Sequence, residues 1–234
     1  DECKVYIIDM NNISDIEKAK IFYNHLVFNN VQKEYFDDIK KDKRYESIGI
    51  DLGSNPYGTG ISETSITEFG SNVSKIIKKR LENIDNINGS EKITCTQKQN
   101  ITNKKYKRIK DMVNDMQWKI SNFLVKNYKN IFVGNLSTKK IGETKIANMV
   151  KRVSNMLSIY KLKNKIKHKC EEYMSNYKEV DEAYTTQSCG RCGYLNKNVG
   201  AQQKYKCPKC KLKIYRNPHS ARLILMLGTL EGKI

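Results

Sequence analysis

The chain has 234 residues, with 43 Lys or Arg against 25 Asp or Glu and a formal net charge of +18. No apolar run reaches the roughly 18–20 residues of a transmembrane helix, and the polar start does not resemble a signal peptide, which argues against membrane-spanning and secreted proteins. The charge surplus indicates a polyanionic partner, nucleic acid above all. Solubility or base composition would explain the surplus lysine without a partner.

Short apolar runs and helical patterns alternate along the chain. The first half predicts, in order, a strand at 5–8, a helix at 15–28, a strand at 47–52, a hairpin over 58–67 and a basic helix at 72–86. The second half predicts a polar irregular segment at 87–103, a helix at 104–128, a strand at 130–134, a long helix at 144–169 and an apolar helix at 221–227. This alternation favours an α/β fold with a partly parallel sheet.

The predicted helix at 144–169 has one apolar side and an outer side on which every charged residue is basic. No Asp or Glu occurs from 144 to 170, and none occurs from 183 to 230. Since a solvated helix face normally mixes both signs, these surfaces are predicted to contact phosphates. The candidate nucleic-acid-binding residues are Lys151, Arg152, Lys161, Lys163, Arg191, Lys204, Lys206 and Arg216.

Two CxxC pairs predict a metal site. Cys189 and Cys192 form the first pair, and Cys207 and Cys210 form the second after 14 intervening residues. Four thiolates at this spacing suit a tetrahedral Zn²⁺ with Zn–S distances of about 2.3 Å, and they leave no open position, so the zinc is predicted to be structural. The metal-type pattern within an odd total of 7 cysteines argues for a reducing intracellular compartment, cytoplasmic or nuclear.

A small set of carboxylates indicates a second, catalytic metal site. Asp51 ends an apolar strand, where a carboxylate is costly unless it binds something, although a turn Asp would also stand there. Metal-dependent phosphoryl transfer needs carboxylates that converge around ions about 3.5–4 Å apart. The strand at 131–133 ends at Gly134 and supplies none. Glu182, just before the cysteine pairs, is a candidate, and Asn217 stands where a third carboxylate is expected.

Five segments resemble known motifs, and they are, in chain order, Gly49–Gly53, Asp115–Lys119, Ile131–Lys139, Glu182–Gly193 and Arg216–Arg222. The first, third and fifth resemble the three RuvC motifs of TnpB/Fanzor proteins. The second resembles the long helix of the eukaryotic and viral Fanzor branch, and the fourth resembles the start of a zinc ribbon. The sequence therefore resembles the TnpB/Fanzor family of transposon-encoded, OrfB-type RNA-guided DNA nucleases, most closely the Fanzor branch.

The resemblance implies an α/β fold with a RuvC-type, RNase H-like core, in which helices flank a mixed sheet and a four-cysteine zinc ribbon is inserted. The implied units are a short N-terminal segment at 1–46 that is a remnant or is truncated, a core at 47–182, a ribbon at 183–214 and a helix completing the core at 215–234. The implied partners are a DNA target and a guide RNA. The implied metals are structural Zn²⁺ and catalytic Mg²⁺ or Mn²⁺. Oligomeric state does not follow from the resemblance.

The resemblance also implies roles for three residues. Asp51 matches the first catalytic Asp of the family. Glu182 matches a Glu that the Fanzor branch places before the ribbon, in exchange for the Glu that other members have at the position of Gly134. Asn217 matches the last catalytic Asp, with the loss of one negative charge from a site where Mg²⁺ prefers carboxylate.

Three functions follow as alternatives. The first is a Mg²⁺-dependent DNA endonuclease with Asp51, Glu182 and Asn217 in its site, with Asp51 and Glu182 as the magnesium ligands. The second is a nuclease-dead DNA- or RNA-binding relative, which Asn217 and Gly134 favour. The third is a zinc-ribbon adaptor for another protein, which would leave the basic surfaces unexplained.

Overall fold

The computed structural model describes residues 6–9, 44–135, 147–182, 185–199 and 203–231. The helix predicted at 15–28 lies outside these ranges, as does the start of the helix predicted at 144–169. Within them, the chain forms a mixed six-stranded sheet, five helices and a small two-stranded sheet. This arrangement confirms the α/β fold that the alternation of strands and helices predicts.

The main sheet combines a parallel half and an antiparallel half. Its strands are β1 (Tyr6–Asp9), β2 (Tyr45–Leu52), β3 (Gly58–Ser62), β4 (Ser65–Phe69), β5 (Tyr128–Gly134) and β6 (Asn176–Val180). The spatial order is β1-β4-β3-β2-β5-β6, with β2, β5 and β6 parallel and all other neighbours antiparallel. The sequence analysis missed β6, because its polar, half-exposed residues lack the alternation of a typical strand.

The helices are α1 (Val73–Gly89), α2 (Cys95–Asn127), α3 (Asn148–Leu157), α4 (Ile159–Tyr173) and α5 (Arg216–Glu231). Helix α2 begins nine residues before the predicted helix at 104–128. A capping box explains this difference, since Thr94 accepts a hydrogen bond from the Gln97 amide while the Gln97 side chain accepts one from the Thr94 amide. None of the described helices combines the length and the apolar character needed to cross a membrane.

The prediction of a single helix at 144–169 is wrong, because the helix is interrupted at Ser158, between α3 and α4. Ser158 adopts a left-handed conformation with φ of 45°. The Tyr57 hydroxyl donates to the Leu157 carbonyl at 2.9 Å, and Gln117 Nε2 donates to the same carbonyl at 2.8 Å and to the Ser158 carbonyl at 3.2 Å. Tyr57 and Gln117 come from distant parts of the chain and supply donors to the Leu157 carbonyl at the interruption, whereas the Ser158 carbonyl also accepts from the Lys161 amide at 2.9 Å.

Helices cover both faces of the sheet. Helices α1, α2, α3 and α4 enclose the larger core on one face, and α5 packs on β2 and β3 on the other. Gly49 allows the close approach of α5, since a Cβ there would lie 2.5 Å from the Ala221 carbonyl oxygen. Near the other end of α5, Gly228 contacts the Phe132 ring. This packing brings the first residues of α5, Arg216 and Asn217, to the carboxyl end of β2.

Candidate functional site

A cleft of about 410 Å³ opens at the carboxyl end of β2. Asp51, Glu182 and Asn217 all line it, so the structure brings together the three residues that the sequence singled out. They come from β2, from the segment after β6 and from the first turn of α5. The ends of parallel strands in one sheet meet at one edge, which explains how residues so far apart in sequence share one cleft.

Asp51 is a half-buried carboxyl with a strongly raised pKa. Its pKa is raised to about 7, mainly by burial and also by the nearby Glu182 carboxylate, while Arg216 opposes both effects. Two carboxyl groups that face each other in a poorly solvated cleft cannot both ionise cheaply without a counterion. The arrangement therefore favours a positive charge between them.

Glu182 is the second carboxyl of the cleft. Its pKa is raised to about 7, mainly by burial and also by Asp181, while the Lys163 ammonium opposes the rise. Its Oε1 atom is buried and has no hydrogen-bond partner among the described residues. Because buried carboxylate oxygens are normally satisfied, an atom of this kind lining a cleft indicates a ligand that supplies the missing contact.

The Glu182 carboxylate occupies the space in front of Gly134. A Cβ built on Gly134 would overlap Glu182 Oε1 and would lie 2.6 Å from its Cδ atom. Gly134 ends β5 and pairs with Val180 of β6, so Glu182 lies two residues beyond that pair and its side chain folds back over β5. The carboxylate thus stands where a side chain at position 134 would begin.

These oxygens fit a hard divalent cation. Asp51 and Glu182 offer carboxylates, Asn217 offers an amide oxygen, and Glu182 Oε1 has no hydrogen-bond partner within the described part of the chain. Mg²⁺ and Mn²⁺ prefer oxygen ligands of this kind, with carboxylates contributing most of the attraction. The residues that would hold a catalytic cation are therefore Asp51 and Glu182, with Asn217 as a neutral third ligand.

Thr59 also lines the cleft, and sequence analysis did not single it out. It lies directly opposite Asp51 in the β2–β3 pairing, is only 1% exposed, and its Oγ1 atom has no hydrogen-bond partner among the described residues. The predicted hairpin could have indicated Thr59, because residues paired across antiparallel strands point to the same face of a sheet.

The four predicted zinc ligands form one cluster. The Sγ atoms of Cys189, Cys192, Cys207 and Cys210 all lie within 4.8 Å of one another. Two of the separations are 3.6 Å, from Cys189 to Cys210, and 3.7 Å, from Cys192 to Cys207. A tetrahedron with Zn–S bonds of about 2.3 Å has sulfur–sulfur edges of about 3.8 Å, so the cluster fits Zn²⁺.

The two halves of the cluster repeat one backbone pattern. The carbonyl of each first cysteine accepts from the amide four residues on, Gly193 at 2.9 Å and Lys211 at 3.0 Å. Both of these residues have positive φ, 69° and 60°. Glycine adopts this conformation readily, whereas lysine carries no sequence signal for it. Strands β7 (Lys204–Lys206) and β8 (Lys213–Tyr215) complete the ribbon.

The sequence of this chain is similar to those of known proteins. Residues 160–224 match the family model described as the Cas12f1-like TNB domain. TnpB-like proteins L79 and L770 of Acanthamoeba polyphaga mimivirus are each 29% identical over 199 residues, covering 80% of this chain and 38% of the relative. These matches show that the chain is similar to TnpB-like proteins over most of its length. The putative transposase A625R of Paramecium bursaria Chlorella virus 1 is 25% identical over 194 residues, covering 80% of the chain and 42% of the relative.

A solved structure agrees at the level of fold. The Cas12f1 chain in a cryo-EM structure of a Cas12f1–sgRNA–target DNA complex aligns with a TM-score of 0.57 and 19% identity, covering 76% of this chain and 49% of that one. This chain spans about two fifths of the length of the mimivirus and Chlorella virus relatives named above.

His219 joins the ribbon to the core. It is fully buried in the first turns of α5, its Nε2 lies 2.9 Å from the Ser188 carbonyl oxygen, and its ring stacks on Tyr205 at 4.8 Å between centroids. Burial lowers the pKa of His219, and nearby Arg222 lowers it further, which favours the neutral imidazole. The side chain therefore links the zinc knuckle at Cys189 to the helix that begins with Arg216 and Asn217.

The residues predicted to contact phosphates differ in their exposure and in the partners that they already have. Lys163 is only 6% exposed, and its Nζ donates to Glu179 Oε2 at 2.9 Å, so its ammonium is already paired with a carboxylate. Arg152 is engaged by Asp85 through two hydrogen bonds of 2.7 and 2.8 Å. Arg216 lines the cleft, and Lys151 is half-buried. The exposed candidates are Lys161, Arg191, Lys204 and Lys206.

Proposed function

We propose that this chain is the RuvC-type nuclease part of a transposon-encoded protein, and that it cleaves DNA phosphodiester bonds with a divalent cation. The observation that carries the proposal is the unpartnered, buried Glu182 Oε1 atom in the cleft that also holds Asp51. A structural carboxylate would be paired, whereas a metal-ligating carboxylate shows an open oxygen when the metal is absent.

The chain's own residues define how such a site would act. Asp51 and Glu182 would hold the cation, and Asn217 would contribute an uncharged oxygen. A bound Mg²⁺ or Mn²⁺ would supply activation of water and stabilisation of the leaving oxygen. Arg216, which lines the same cleft and lowers the pKa of Asp51, would hold a scissile phosphate by its charge.

Asn217 supports a second candidate, a nuclease-inactive binding protein of the same descent. It stands in the cleft at the third ligand position, where an amide replaces a negative charge. Since divalent cations draw most of their binding energy in such sites from carboxylates, a site with two carboxylates binds metal more weakly than one with three. Both candidates require the zinc ribbon, and both require binding of nucleic acid.

The proposed partners are a DNA target and a guide RNA, as in the Fanzor branch. Support comes from the net charge of +18 and from the Cas12f1 structure, which was solved with an sgRNA and target DNA. A nuclear or cytoplasmic location would fit both the DNA target and the reduced zinc-binding cysteines. Contacts of the remaining sequence in such longer proteins would add to those of this chain.

Cleavage of a labelled single-stranded DNA in Mg²⁺ or Mn²⁺ tests the proposal. The comparison uses the unaltered chain, Asn217→Asp and Asp51→Ala, with the exposed Asp115→Ala as a matched control. Cleavage that only Asp51→Ala abolishes supports the nuclease. Cleavage seen only with Asn217→Asp supports the inactive relative with an intact scaffold. If all four proteins leave the DNA uncut, with the guide RNA present or absent, the nuclease proposal is overturned.

A further inference from the structure

We infer a phosphate-binding site in the groove between α1 and α2, separate from the cleft, which takes the sugar–phosphate backbone of a nucleic acid. The groove has a volume of about 190 Å³ and is lined by Arg80 and Asn83 of α1 and by Lys105 and Arg108 of α2. It shares no lining residue with the cleft that holds Asp51. This inference rests on the proposed function in so far as it assumes a nucleic-acid partner.

Helix geometry brings the four side chains together. Helices α1 and α2 are joined by the short segment 90–94 and pack against each other. A connection of this length makes them antiparallel neighbours. On each helix the two lining residues are three apart and therefore lie on one face. Buried residues beside them, Ile84 on α1 and Ile109 on α2, belong to the core and hold both faces in place.

The three cations of the groove have no anionic partner among the described residues. Neither Arg80, Lys105 nor Arg108 makes a hydrogen bond or an ion pair within the described part of the chain. Some other cations on these two helices are paired, as Lys78 is with Glu82 and Lys119 is with Asp115. Three like charges around one concave groove repel each other, and a bound anion would relieve that repulsion.

The side chains that line the groove are suited to binding phosphate. Two guanidinium groups offer planar forks that match two oxygens of one phosphate, and an ammonium adds a point charge. The Asn83 amide can donate to a further oxygen. No carboxylate lines the groove to compete for these donors. Free polyphosphate has the same chemistry, but an open groove between two helices on a chain of charge +18 better fits a continuous strand of phosphates.

Salt-dependent binding to a labelled DNA duplex tests the inference. The full chain is compared with a groove variant carrying Arg80→Gln, Lys105→Gln and Arg108→Gln. The matched control carries Lys75→Gln, Lys79→Gln and Lys110→Gln, which remove the same charge from exposed positions on the same helices. Affinity is measured by fluorescence anisotropy between 50 and 200 mM salt, and circular dichroism checks that all three proteins are folded.

The groove variant should lower the slope of log affinity against log salt by about one for each lost phosphate contact, thus by about two to three, while the control lowers it by less than one. Equal losses in both variants would show a general charge effect and would overturn the site. Tripolyphosphate that displaces no duplex, yet binds the chain in a groove-dependent manner, would assign the groove to free polyphosphate instead. The readout is duplex binding and not cleavage, so a failed cleavage assay leaves this test unaffected.

Discussion

The carboxylate of Glu182 lies where a side chain on Gly134 would begin. A Cβ at position 134 would overlap Oε1 of Glu182, so the two positions compete for one volume at the end of β5. A carboxylate can therefore reach this part of the cleft from the strand end or from the segment after β6, but not from both at once. This is the geometry expected if a ligand position had moved from one element to its neighbour.

The first prediction concerns this shared volume. Gly134→Ala should push the Glu182 carboxylate out of its place and reduce Mn²⁺ affinity about 10–100-fold, the usual range for disturbing the support of a metal ligand. Isothermal titration calorimetry with Mn²⁺ measures the change. Gly89→Ala is the matched control, since a Cβ there would meet no atom within 4 Å.

Moving the carboxylate to position 134 tests more strictly whether this volume belongs to a metal site. The double variant Gly134→Glu with Glu182→Ala returns a carboxylate to this volume from the strand end, and Mn²⁺ affinity should recover relative to Glu182→Ala alone. Unchanged affinity in Gly134→Ala, or no recovery in the double variant, would show that this volume is not part of a metal site.

The second prediction concerns pH. The pKa values of Asp51 and Glu182 are each raised to about 7, mainly by burial, whereas both groups ionise near 4 in an unfolded chain. Between about pH 4 and pH 7 the native state thus holds protons that the unfolded state has lost. Since stability falls with rising pH wherever the native state binds more protons, the free energy of unfolding without divalent cation should fall across this window.

Urea unfolding at a series of pH values from 5 to 8 measures this trend, with zinc retained and no Mg²⁺ or Mn²⁺ added. Asp51→Asn or Glu182→Gln should flatten the fall, because a neutral amide has no proton to lose. The exposed Asp115→Asn should leave it unchanged. A rise in stability over the same window in the unaltered chain would contradict the raised pKa values.

The third prediction concerns zinc. The native chain should contain about one zinc ion, and Cys189→Ser should lose it, because structural zinc needs all four thiolates. The ribbon should then unfold, since its hydrophobic cluster is small and consists largely of the cysteines themselves together with Tyr205, Leu212 and Ile214. Elemental analysis and thermal unfolding check this outcome. The exposed Cys95→Ser should keep its zinc.

The fourth prediction concerns the link between ribbon and core. His219→Ala removes the contact with the Ser188 carbonyl and the stacking on Tyr205, so we expect a loss of about 1–3 kcal/mol in stability. Zinc should also leave faster in the presence of a chelator, as the first knuckle loses its support. The exposed His168→Ala should change zinc release little. Equal release rates in both variants would mean that His219 does not support the zinc knuckle.

The strongest sequence predictions were those with a local physical cause. A zinc knuckle is a turn of a few residues, so the spacing within and between the cysteine pairs was enough to predict the cluster that the structure shows. Asp51 was recognisable because a carboxylate after four buried strand residues is unusual. The partly parallel sheet followed from the alternation of short strands and helices.

Where sequence analysis failed, contacts between distant residues decide the structure. The helix break at Ser158 depends on Gln117 and Tyr57, whose side chains bond to carbonyl groups 40 to 100 residues away. Lys163 looked like one more lysine of a basic face, yet it lies buried against Glu179. Helical periodicity indicates on which side of a helix a residue lies, but it does not indicate which residue of another element contacts it.

Residue type and local spacing set which groups this chain can offer to metals and phosphates. Which of these groups come into contact depends on how the whole chain folds. Glu182 and Gly134 are 48 positions apart, and their competition for one volume arises from the parallel pairing of β5 with β6. The groove of Arg80 and Arg108 likewise exists only because two helices pack antiparallel. Such encounters follow from the packing of a whole core, which no short segment of sequence encodes.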